Sequence, residues 1–143
     1  MLGQSSLQAR TVRNWSIDEL TQAADLVVVV DPIKNEDNSE KDIPNYDPRW
    51  FQGVSTTFQI KGCFKGTPNK GEIVVKHFKY KEKDISPPNG PDFIFFVISP
   101  LGQPAQHWVA FLKKAPDGSY VPVTDQYDAI LSFKELHDPS FYR

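Results

Sequence analysis

Ala24-Asp25-Leu26-Val27-Val28-Val29-Val30 is short, apolar and β-branched, and it follows directly on a helix-start signal. Branching at Cβ restricts rotamers in a helix and suits a pleated, packed surface. The stretch therefore reads as the first strand of a small sheet, Leu26–Val30, which Asp31-Pro32 ends or bends. Just upstream, Ser16-Ile17-Asp18-Glu19 has the form of a capping box. Trp15 and Leu20 occupy the two positions of a hydrophobic staple. A short helix over Ile17–Ala24 follows, with Ile17, Leu20, Ala23 and Ala24 on one face. That face is expected to pack across a barrel end or a sheet edge.

Downstream, Ser55–Phe64 alternates, with Thr56, Phe58 and Ile60 on one face and Thr57, Gln59 and Lys61 on the other. Gly62 marks a bulge or bend. The turn-rich Lys65–Gly71 leads to a strand over Glu72–Tyr80, so these two strands pair as a hairpin. Phe93–Ile98 is apolar throughout and too short for an independent helix; it reads as a strand that needs cover on both faces. His107–Lys114 is a further strand, and Pro116-Asp117-Gly118 a tight turn into an antiparallel return over Ser119–Thr124. Ala129–Leu136 is compatible with a final strand or a short helix.

The chain thus predicts a mainly β protein: a small antiparallel OB-like β-barrel with a short N-terminal helix. Residues 1–14 read as a loose tail and 15–143 as one domain, with long connectors at 31–53 and 81–92. The 143 residues, 39% hydrophobic and 13% aromatic, are sufficient for one core filled largely by rings. A net charge of −2 supplies no global pull toward nucleic acid or anionic membrane. No run approaches the length of a membrane-spanning helix. The single cysteine, Cys63, leaves no intramolecular disulfide and no cysteine-based zinc motif.

Ala23–Val29 resembles the opening of the netrin-like domain, the family of the tissue inhibitors of metalloproteinases. So does Thr57–Gly66, closing in Phe64-Lys65-Gly66 before Ile73-Val74-Val75. The later segments Asn89-Gly90-Pro91, Trp108–Lys113 and Pro116–Val123 are similar to uncharacterised, often exported, bacterial proteins. The resemblance covers about Ile17–Val123. It implies a five-stranded OB-type barrel, a loop after the first strand that meets a partner, and an exported setting if a targeting segment has been removed. It carries over no inhibitor residue. Those inhibitors chelate zinc through a disulfide-anchored N-terminal cysteine, and here the only cysteine is Cys63, inside the second strand.

Chemical motifs are sparse. His77, His107 and His137 lack the spacing of a metal site, and no nucleophile elbow, phosphate loop or dinucleotide fingerprint occurs. Cys63 reads as a small core-like strand residue, and Asp125 and Asp128 as turn-capping carboxylates. No catalytic residue, metal or cofactor is expected. Tyr46, Arg49, Trp50 and Phe51 match the residue types enriched at binding hot spots; the plainer account is a loop folded back to plug the barrel end. Lys76, Phe78, Lys79, Tyr80 and Lys81 interleave bases with rings, as a single-strand nucleic-acid platform would. The plainer account there is a solvated strand edge guarded by lysines. The leading expectation is a non-catalytic binding or structural module, with a protein or other surface component as partner and its oligomeric state open. A nucleic-acid-binding OB domain is the alternative.

Overall fold

The computed structural model describes residues 14–39, 50–68, 70–81, 93–98, 107–126 and 128–136. After helix α1 (Ile17–Ala23) come β1 (Leu26–Asp37), β2 (Phe51–Lys65), β3 (Glu72–Tyr80), β4 (His107–Lys114) and β5 (Tyr120–Pro122). A 3-10 turn (Ala129–Ser132) then leads into β6 (Phe133–Leu136). The strand order β1-β2-β3-β5-β4, with β4 returning to β1, closes a five-stranded OB-like barrel. β6 continues along the β4 edge, pairing His107–Ala110 where β5 has paired Leu112–Lys114. The sheet is mixed rather than antiparallel, because β3 and β5 run parallel.

The valine stretch is paired along both of its edges. Leu26–Val30 pairs with β2 on one side and β4 on the other. Alternation sends Leu26, Val28 and Val30 into the barrel and Val27 out of it. Asp25 secures the joint at its start: its N–H donates to Leu112 O (2.8 Å), and its Oδ2 accepts from the Lys114 N–H (2.9 Å).

Asp31-Pro32 bends β1 without ending it, and the strand runs on to Asp37. Pairing to β4 stops at Val30, and a register shift falls between Pro32 and Lys34. Proline is tolerated there because that edge carries no ladder bond for its missing N–H to break. β2 begins at Phe51, earlier than the expected Ser55. Both ends of the expected connector 31–53 are therefore strand. The predicted irregularity at Gly62 is observed, since Val29 pairs with Gly62 but Val30 with Ile60.

The α1 capping box forms as its sequence demands, with both reciprocal bonds at 3.0 and 3.1 Å. The helix does not lie over a barrel end. Leu20 and Ala24 pack with Val27, Phe111 and Val123 on the outer face of β1 and β4, flanked by Trp15. Ile17, expected on the packing face, is 54% exposed.

The barrel interior is filled by rings. Phe58 of β2 stacks on Phe133 of β6 at 5.7 Å, and Phe96 stands edge-on to both at 4.9 and 4.8 Å. Phe96 belongs to Phe93–Ile98, which forms no strand. Ile94 and Phe96 enter the core beside Trp108, so this segment supplies interior filling from the β3–β4 connection. An apolar run can satisfy burial by side chains alone, without joining a ladder, and its pattern does not distinguish the two.

Candidate functional site

The residues nominated from sequence separate into an inner and an outer set. Tyr46 and Arg49 lie outside the described residues. Phe51 is buried with Phe78, and Trp50, Tyr80 and Phe93 pack half-buried around that pair. Phe51 meets Phe93 edge-on at 5.5 Å, and Tyr80 lies 4.6 Å from Phe93. By alternation these rings sit on the face of β2 and β3 opposite Thr56, Phe58 and Val75, and they share no member with the barrel core. Phe51 and Trp50 therefore build an outer aromatic cluster, and the plug of the barrel is Ile94 and Phe96 instead.

The aromatic cluster continues along 93–98 to a more exposed surface. While Ile94 and Phe96 point inward, Phe95 is 71% and Val97 43% exposed. Both-sided cover was the expectation for this run, and only one side receives it. Sequence reasoning did not nominate Phe95 or Val97. The available signal was the run itself, whose unbroken apolar character leaves an apolar outer face whenever one face is buried.

A polar chain running from the exposed Asn35 to the buried Thr56 and His77 holds this segment in place. Asn35 Nδ2 donates to Phe96 O (2.8 Å), which leaves Asn35 Oδ1 as an acceptor. Thr56 Oγ1 donates its one hydrogen to that oxygen (2.6 Å). Thr56 Oγ1 must then accept from His77 Nε2, 2.6 Å away. His77 is thus the neutral Nε2–H tautomer, and its buried Nδ1 has no side-chain or backbone partner of good geometry. The imidazole also stands edge-on to the Phe96 ring at 5.4 Å. Burial lowers the His77 pKa from 6.5 to about 4, with the Phe78 backbone acting in the other direction. His77 is a structural histidine that ties β3, β2 and β1 to the crossing segment.

The second strand histidine is placed differently. His107 is partly exposed, and its Nδ1 lies 2.5 Å from Oδ1 of the buried Asp31. The other Asp31 oxygen is buried without a hydrogen-bond partner. His137 lies outside the described residues. Among the described residues, no three metal-ligating side chains converge. Cys63 is exposed rather than core-like: it lies beyond Gln59, where pairing of β2 with β3 ends, and its Sγ faces Gly66 O at 3.2 Å. Asp125 takes a positive φ of 90°; Asp128 opens the 3-10 turn without a side-chain cap, contrary to the expected carboxylate cap, and it is its backbone carbonyl that accepts from Thr124 Oγ1 (2.6 Å).

The alternative nucleic-acid strand is dispersed in the fold. Phe78 is buried and Tyr80 is half-buried in the aromatic cluster, so neither offers an open face for a base. Lys76 pairs with Asp117 and Lys79 with Asp37, each at 2.9 Å. Lys81 is exposed. Asp117 is held well below the usual carboxylate range by the Ser119 hydroxyl first, then the Ser119 N–H and Lys76.

No helix among the described residues is long and apolar enough to cross a membrane. Comparison with known proteins finds no matching family model and no matching curated protein.

Proposed function

We propose that this chain is a non-catalytic binding module whose ligand is a protein. The observation that carries the reading is the outer face of 93–98. Phe95 and Val97 stand exposed on a segment whose other face is locked into the barrel by Ile94, Phe96 and the Asn35 bond. Apolar side chains held out on a firm support are what an interface uses, since little ordering entropy remains to be lost on binding. Trp50, Tyr80 and Phe93 extend the same surface with the ring types found at binding hot spots. The netrin-like resemblance of Ala23–Val29 and Thr57–Gly66 is in keeping with this reading and with an exported setting, which fractionation of the source cells tests.

A photo-crosslinking residue at position 95 tests the proposal, with one at the exposed Ile130 as control. The expected result is a discrete protein adduct, or a crosslinked dimer, from position 95 alone. Identical adducts from both positions, or none from position 95, would overturn it.

A further inference from the structure

The barrel wall has one loose seam. β3 and β5 pair at a single position, Val75 with Tyr120. Before Tyr120, the β4–β5 turn leaves the sheet through Gly118 at φ +91°. Upstream of Val75, β3 therefore has β2 on one side and no strand on the other among the described residues. The peptide orientation along this edge follows from the ladder. The Ile60 N–H donates to Gly71 O (2.8 Å), so Gly71 and Ile73 direct their backbone groups to β2. Glu72 directs its N–H and C=O, and Val74 its N–H, the opposite way into the gap, while the Val74 C=O lies on the side of the parallel contact with Tyr120.

The gap is a groove of ≈ 500 Å³ lined by Lys70, Glu72 and Val74 on one side and Lys114, Asp117 and Tyr120 on the other. Val74 is 38% exposed. Among the described residues, the free charges in the groove are the ammonium groups of Lys70 and Lys114 and the carboxylate of Glu72, a balance of one positive charge. The Asp117 carboxylate is already engaged by Lys76 and Ser119. Lys70 and Lys114 have no ion pair among the described residues.

We infer that this seam accepts an extended acidic peptide segment of a partner protein, added as a short strand against Glu72–Val74, with its carboxylates met by Lys70 and Lys114. Strand addition to an exposed edge draws affinity from main-chain hydrogen bonds and selectivity from side chains alternating into the groove. Two unpaired ammonium groups at a short edge select carboxylates and reject basic segments. The site is separate from Phe95 and Val97 and stands or falls independently of them.

The test is a two-dimensional amide NMR titration of the whole chain with a blocked hexapeptide of alternating Val and Glu. Two further peptides accompany it, one with Lys in place of Glu and one N-methylated at alternate residues. Saturable shifts centred on Glu72–Val74 and Lys114–Tyr120 are expected. The lysine and N-methylated peptides should each bind at least about tenfold more weakly. K70E/K114E, both at exposed positions, should weaken the acidic peptide about tenfold while leaving the thermal midpoint unchanged. Equal binding of the N-methylated peptide would reduce the interaction to surface charge and overturn the inference. So would no shift at millimolar peptide, or shifts confined to Trp50 and Phe93–Ile98.

Discussion

The barrel is closed by unequal seams. On one side β1 is held between β2 and β4, and Asp25 adds two hydrogen bonds where the strand begins. On the other, β3 and β5 share a ladder position at one residue pair only. Each side carries a glycine at nearly the same backbone angle, Gly66 at φ +87° and Gly118 at φ +91°. Their surroundings differ. A Cβ on Gly66 would lie 2.4 Å from Asp25 O, whereas one on Gly118 would meet nothing within 4 Å. The same local conformation is thus a packing requirement at the tight seam and only a turn requirement at the loose one. Pairing is concentrated around the valine stretch, and among the described residues the β3 edge upstream of Val75 has no strand beside it.

Substitutions can break or sharpen this contrast. The largest effect is expected from the ring that braces the tight side from within. Phe96→Ala removes contacts to Phe58, Trp108 and Phe133 and should cost about 3–5 kcal/mol in urea unfolding. Phe95→Ala, one residue away on the outer face, should stay within about 0.5 kcal/mol. Similar losses at the two positions would mean that 93–98 does not turn one face in and one out. Next come the glycines. Gly66→Ala combines strain with a backbone clash and should cost about 3 kcal/mol, and Gly118→Ala, strained but unobstructed, about 1 kcal/mol. Equal costs, read from denaturation midpoints, would erase the distinction between the seams.

The buried His77 predicts a pH dependence of comparable size, spread over a window. Its folded pKa of about 4 lies below the unfolded value of 6.5, so the unfolded chain takes up the proton first as the pH falls. The contribution of neutral His77 is fully present above about pH 6.5. It falls as the pH approaches 4, by about 3 kcal/mol over the whole window. His77→Gln should flatten that part of the stability profile. An unchanged slope between pH 6.5 and 4 would show that His77 is not the group responsible. A smaller loss than that of His77 is expected at the β1 joint: Asp25→Ala removes the acceptor for the Lys114 N–H and should cost about 1–2 kcal/mol. It should also speed amide exchange at Lys114 more than at Tyr120, and the reverse order would argue against a tight first seam.

Much of the wall was legible in the chain. The capping box, the Glu72–Tyr80 and His107–Lys114 strands and the Gly118 turn are local signals, set by capping chemistry, side-chain period and backbone sterics. The candidate surface was legible only in part. Residue type singles out Trp50 and Phe51 alike, but the structure buries Phe51 with Phe78 and packs Trp50 against that pair. Phe95 and Val97 were hidden within a uniformly apolar run, where composition cannot say which face will be covered.

By itself, then, the sequence determined that a β-branched stretch after a capped helix would start a small β-barrel filled with rings. Each of those signals acts between neighbours in the chain. Tertiary structure alone decided that β1 continues through Pro32, because β4 has departed from its edge there. It alone turned Phe95 outward and, among the described residues, left the β3 edge beside Lys70 and Lys114 without a strand. Those outcomes depend on which distant strand arrives on each side of a residue, and a periodic pattern carries no record of that.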